Sequence, residues 1–177
     1  MSSIYEPIDS IPQLYRMDFF LVPEFWDKFN EKGFENIESV DFSKWKCEKL
    51  FSSADCFSDS LSNIPTDCGG IYVYVIENRI IPNIGKYIMY IGKASKTEFQ
   101  NLRKRVKSYS KDITDFDRPR IHNLFEKWGN YLYVYYLPIY QSNEDIDLLE
   151  ERLISCIIPP CYADIRDVEV KNRVKAF

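Results

Sequence analysis

From Gly70 to Ile76 the chain alternates along a run rich in Ile, Tyr and Val, the pattern of a half-buried strand. Tyr87 to Ile91 predicts a second strand. The connection from Glu77 to Lys86 holds Asn78, Pro82, Asn83 and Gly85, so the two strands form a hairpin with a long irregular turn. From Thr97, a candidate N-cap, to about Ser110 the period becomes helical, with Leu102, Val106 and Tyr109 on one side. A second helix follows Asp117 and stops at Gly129-Asn130. Tyr131 to Ile139 then predicts a third strand, and Ser142 to Ile157 a final helix opened by Ser142 and Asp145 and closed by Pro159-Pro160. The expected order is β-β-α-α-β-α, an α+β class.

The region upstream differs. Val22 to Phe34, with Phe25, Trp26, Phe29 and Phe34, has rough helical spacing, and packing on the main domain is its expected role. Ser58 to Gly70 is rich in turn formers, so it marks a boundary: residues 1–66 form a mainly helical accessory extension and residues 67–177 the main domain. No internal repeat or low-complexity tract is present. With 177 residues, 45% hydrophobic and 16% aromatic, the chain can build a core.

No apolar stretch is long enough for a bilayer and the start lacks signal-peptide character, so a cytoplasmic protein with no membrane partner is expected. Five cysteines without a Cys-x-x-Cys pair argue against a disulfide framework and a thiolate zinc site. The net charge of −4 opposes nucleic-acid binding only as an average. Residues 1–68 carry about six basic and thirteen acidic side chains, near −7, whereas residues 86–127 carry about eleven and five, near +6. A local basic face attracts a polyanion despite an acidic total. Lys93, Lys96, Arg103, Lys104, Arg105 and Lys107 are its candidate nucleic-acid contacts, with a solvated helix face as the plain alternative.

Three constellations carry candidate chemistry. Gly70-Ile71-Tyr72 and Tyr90-Ile91-Gly92-Lys93 place two phenols and an ammonium on neighbouring strands, although strand tyrosines usually pack with a satisfied hydroxyl. Arg105 and Tyr109 share a helix face beside Leu102 and Val106, where a guanidinium can clamp a phosphate or simply lie along the surface. In the last helix Ile146, Leu149, Leu153, Ile154 and Ile157 form an apolar stripe, and Glu150 falls within it. A carboxylate there needs a cation or an ion-pair partner.

Taken in order, Gly70-Ile71-Tyr72, Tyr90-Ile91-Gly92-Lys93-Ala94, Leu102 to Tyr109, and Leu148-Leu149-Glu150 followed by Leu153-Ile154 resemble the successive motifs of the GIY-YIG nucleases. That family includes homing endonucleases, some restriction enzymes and the nuclease domain of an excision-repair protein. The resemblance implies a three-stranded antiparallel sheet flanked by helices and a DNA phosphodiesterase using one divalent ion, Mg²⁺ or Mn²⁺. It also implies Glu150 as the protein ligand to that ion and Arg105 on the scissile phosphate. Lys93 would supply nearby positive charge, Tyr109 a further phosphate contact, and Tyr72 or Tyr90 the handling of the attacking water. A phenol with a pKa of about 10 is a poor base at neutral pH, so a nearby cation must lower it or the proton must leave another way. Cutting both strands commonly employs two copies, which makes a homodimer one expected partner beside DNA.

Two departures stand out. The family asparagine after the last helix is absent from Pro159-Pro160-Cys161-Tyr162-Ala163-Asp164, where Asp164 is the available substitute. Ile84-Gly85-Lys86-Tyr87 is a decoy for the second motif, and Tyr90 is preferred because Gly92-Lys93-Ala94 follows it. His122, the one histidine, reads as an ordinary helix residue, and Glu169-Val170-Lys171 as part of a solvated tail. A silent nucleic-acid-binding or protein-interaction module with the same fold is the competing reading.

Overall fold

The computed structural model describes residues 17–27, 29, 42–53, 56–81, 84–110, 118–162 and 164–176. The part of the expected 22–34 helix beyond these residues, and Ala163, lie outside the described residues. In chain order the elements are α1 (Pro23–Asp27), β1 (Lys46–Lys49), β2 (Phe51–Ser53), β3 (Cys56–Phe57), β4 (Gly69–Glu77), β5 (Lys86–Ala94), α2 (Leu102–Lys107), α3 (Pro119–Trp128), β6 (Leu132–Ile139), α4 (Asn143–Ile157) and α5 (Val168–Lys175). The architecture is α+β, with one four-stranded antiparallel sheet ordered β1-β6-β4-β5 and a small β2-β3 ribbon.

β4 is one of the two inner strands, paired on both sides, and its first seven residues are buried. Burial of both faces explains why it reads as a nearly continuous apolar run. Its alternation divides the core in two. Ile71, Val73 and Val75 point into an aliphatic layer with Ile146, Leu149, Leu153 and Ile154 of α4. Tyr72 and Tyr74 point into an aromatic layer with Leu102 and Val106 of α2 and Ile121, Leu124 and Phe125 of α3. β6 obeys the same rule, sending Leu132, Val134 and Tyr136 to the aromatic side and Leu137 and Ile139 to the aliphatic side.

β5 breaks that rule once. Tyr74 pairs with Tyr90 while Val75 pairs with Ile88, so Met89 is an inserted residue in the ladder. The bulge lets consecutive residues Met89 and Tyr90 both enter the aromatic layer. Beyond it Ile91 returns to the aliphatic side.

Helix starts follow local chemistry. The expected start at Thr97 is corrected: the Thr97 hydroxyl accepts from Gln100 N in a turn, and α2 begins at Leu102, where Asn101 Oδ1 accepts from Lys104 N at 2.9 Å. Ser142 caps α4 as expected, accepting from Asp145 N at 3.2 Å. At its end Ile158 takes a left-handed conformation (φ 51) before Pro159, a strained position for a β-branched residue that burial in the aliphatic core holds in place.

Three expectations are corrected. The sheet has four strands, because β1 pairs with β6 through Lys46↔Tyr136 to Lys49↔Tyr133. The described part of the upstream region is mixed, with three short strands set among short helical turns, α1 being only five residues long. Lys46–Phe57 gives no strong strand pattern of its own, and β1 acquires its conformation from the partner edge. The supposed tail is helix α5, capped by Asp167 and anchored by buried Val170.

Candidate active site

Glycine permits the close packing that builds this site. At Gly92, directly opposite Tyr72 on the neighbouring strand, a Cβ would stand 2.5 Å from the Tyr72 hydroxyl and ring and 2.8 Å from the Tyr90 ring. The absence of a side chain allows the Tyr72 phenol to lie across β5 and reach the following helix. Gly70 (φ 149) lies where a Cβ would meet the Leu137 carbonyl at 2.1 Å, so β4 and β6 approach closely just before Tyr72.

Tyr72 and Tyr109 share a hydrogen bond of 2.7 Å between hydroxyls, and the Tyr109 hydroxyl donates to that of Tyr90 at 2.9 Å. Each phenol has one proton, so Tyr72 donates to Tyr109. The Arg105 guanidinium interacts with the Tyr72 hydroxyl and stands 5.5 Å from the centre of the Tyr109 ring. A directed line of phenols results, Tyr72 to Tyr109 to Tyr90, with the Arg105 charge beside it. Tyr74 packs edge-on to Tyr109 and completes the aromatic cluster.

Tyr72 and Tyr109 are fully enclosed, whereas Tyr90 retains 7% exposure. Tyr90 is therefore the least enclosed of the three phenols. Burial, then the neighbouring Tyr109, push its pKa far above the ordinary value; Arg105 pulls it down and Glu150 pushes it up, and burial prevails. Tyr72 is raised for the same first reason. The expected cation is present, but it does not produce a phenolate near neutral pH.

On the other face of β5, Lys93 is aligned with Ile71 and meets α4. Its ammonium lies 2.8 Å from Asp147 Oδ1 and 3.2 Å from Glu150 Oε2. Glu150, with 15% side-chain exposure, is thus paired within the apolar stripe. Asp147 Oδ1 meets Lys93 as an ion pair and has no hydrogen bond among the described residues. The sequence reading missed Asp147. Its signal was the three-residue spacing from Glu150, which places both carboxylates on one side of α4.

Contact therefore joins Tyr72, Tyr90, Tyr109 and Arg105 on one face of β5, and Lys93 with Glu150 on the other. β5 is the sheet's edge strand, and across it the Glu150 carboxylate exerts the smallest of the electrostatic influences on Tyr90. Glu150 and Asp147 offer hard carboxylate oxygens suited to a hydrated Mg²⁺ or Mn²⁺, which keeps most of its water with few protein ligands. Among the described residues no cluster of three His, Cys, Asp or Glu offers a fuller cage.

The outer basic residues are committed more locally. Arg103 donates to the carbonyls of Ile64 and Ser62, Lys96 to that of Thr66 at 2.9 Å, and Lys104 to that of Phe99 at 3.3 Å. Arg103, a candidate nucleic-acid contact, is a half-buried tether between α2 and the preceding loop. Lys107 is exposed. Arg118, outside the expected contact set, stands 4.4 Å over the Tyr109 ring. Tyr87 of the decoy motif is exposed, away from the phenol cluster. Asp164, the available replacement for the family asparagine, pairs with Lys171 of α5 at 2.9 Å. No helix among the described residues is long and apolar enough to cross a membrane. Compared with known proteins, the chain matches no family model, no curated protein and no solved structure.

Proposed function

We propose that this chain is a metal-dependent DNA endonuclease with a GIY-YIG-type fold and site. One observation carries the reading: a hydrogen-bonded line of phenols, Tyr72 to Tyr109 to Tyr90, lies beside the Arg105 guanidinium and ends at Tyr90, the least enclosed of the three and within the electrostatic reach of Glu150. A guanidinium, a phenol at the end of a hydrogen-bonded line and a paired carboxylate carried on the two faces of one edge strand suit the hydrolysis of a backbone phosphate. Many strand tyrosines only pack; these form a directed chain anchored by a charge.

In this mechanism Arg105 holds the phosphate and offsets charge developing on its non-bridging oxygens. Tyr109 and Tyr72 fix the position of Tyr90, whose hydroxyl orients water for attack. With its pKa raised, Tyr90 acts as a neutral hydrogen-bonding group, and the water's proton passes to solvent or to a phosphate oxygen. Lys93 stays near the carboxylates, tethered by Asp147. A divalent cation, Mg²⁺ or Mn²⁺, held at Glu150 would when bound supply charge stabilisation at the leaving 3′ oxygen.

Asp164 favours the second reading, a silent binding module, because its ion pair with Lys171 leaves the asparagine's amide unreplaced. A cleavage assay on linear, supercoiled, branched and single-stranded DNA with Mg²⁺ or Mn²⁺ separates the two. Nicking or cutting that Glu150→Ala abolishes, with the far-UV spectrum intact, supports the enzyme. Salt-sensitive DNA binding without cleavage under either metal selects the silent module.

A further inference from the structure

A cleft of about 590 Å³ runs along α3, lined among others by Arg120, Asn123, Lys127 and Trp128 of the helix, by Tyr162, and by Asp18. Arg120, Asn123 and Lys127 recur at positions i, i+3 and i+7, so they form one exposed stripe. The stripe is about 10 Å long at 1.5 Å per residue. Among the described residues its two cations, Arg120 and Lys127, share the lining with one carboxylate, Asp18, and outnumber it. Trp128 and Tyr162 add aromatic surface, and the Arg120 guanidinium lies 5.1 Å from the Tyr162 ring centre.

The cleft adjoins the phenol cluster at two points. Arg118, which stands over the Tyr109 ring, immediately precedes α3. On the opposite wall Cys161 N donates to the carbonyl of Met89, the residue before Tyr90, at 2.9 Å. A nucleic-acid strand with one phosphate at Arg105 and Tyr90 can continue along α3 into it.

Paired cations for phosphate and aromatic faces for a base are the chemistry of single-strand recognition, in which stacking tolerates any base. The cleft's volume suits a small ligand. Resting on the nuclease reading above, we propose that this cleft binds an unpaired nucleotide of the DNA strand held at the candidate active site, so that the protein prefers a duplex carrying a single-stranded flap.

Fluorescence anisotropy with the full chain in EDTA tests this, comparing a labelled duplex with the same duplex bearing a short flap. The wild type should bind the flapped DNA about 10-fold more tightly, as one stacked base allows. Arg120→Ala with Lys127→Ala should abolish that preference, leave plain-duplex affinity within about twofold, and reduce the salt dependence of flap binding by about one unit of slope. Tyr162→Ala provides an independent variant against the aromatic wall, with circular dichroism confirming both folds. Equal affinity of the wild type for the two DNAs, or an undiminished preference in both variants, overturns the proposal. In the Mg²⁺ or Mn²⁺ cleavage assay, cutting of plain duplex without flap preference overturns it alone, whereas absence of binding here and of cleavage there on every DNA overturns the nuclease reading with it.

Discussion

Tyr72, Tyr109 and Tyr90 form one line of hydrogen bonds, yet only Tyr90 retains contact with solvent. Tyr90→Phe should therefore reduce cleavage by roughly 10²-fold through loss of water positioning. Tyr72→Phe should cost less, because its effect passes through Tyr109; single-turnover rates will show the order, and a reversed order would assign the water to Tyr72. Asp147 has a different duty. It shares Lys93 with Glu150, and neutralising it leaves Glu150 as the ammonium's remaining anionic partner in this cluster. Asp147→Asn should weaken Mn²⁺ binding by about 3- to 10-fold, of the order expected for supporting groups at metal sites. Calorimetric titration measures this without reference to turnover, and an unchanged affinity would remove Asp147 from the site.

The β4–β5 pair is the element that makes the site, and Gly92 is its weakest point for substitution. Gly92→Ala places a methyl against the Tyr72 hydroxyl and the Tyr90 ring. The expected cost is roughly 1–3 kcal/mol, typical of overpacking, read as a lower urea midpoint; a wild-type midpoint would mean that the rings move aside freely. The same pair shows what the sequence made legible. Alternation of Ile71, Val73 and Val75 against Tyr72 and Tyr74 marks β4 from residues alone, and the 3.6 period marks α4, with Glu150 inside its stripe. The Met89 bulge is invisible to strict alternation, which would have turned Met89 and Tyr90 to opposite faces. Asn101 prevailed over Thr97 as a cap because Thr97 closes a turn of its own with Gln100. β1 escaped notice because a four-residue Lys-Cys-Glu-Lys strand carries no pattern without its partner, and α5 because one buried valine anchors it.

For the whole molecule, a core rich in buried phenols implies a limit at high pH. Tyr72 and Tyr74 have pKa values raised well above 10.0, first by burial and then by neighbouring tyrosines. A group whose folded pKa is raised adds stability that is complete below the unfolded pKa and declines as pH rises through the window above it. Stability should therefore hold to about pH 10, the ordinary tyrosine pKa, and fall beyond it. Absorbance of tyrosinate near 295 nm should rise together with loss of far-UV structure; early ionisation of the whole tyrosine set within an intact fold would contradict the buried cluster.

The sheet's borders bear on self-association. On one side it ends at β1, four residues long with Lys46 at its exposed start and Lys49 at its end. On the other, Cys161 already occupies the Met89 carbonyl of β5. The β1 border is too short to offer a long ladder to a neighbouring polypeptide, whereas the nine-residue β5 border has its Met89 carbonyl already taken. Under the proposed function, two copies cutting opposite strands would meet at the β1 border through side chains rather than by extending one continuous sheet there, and would leave the β5 border, which carries the candidate site, open to the double helix.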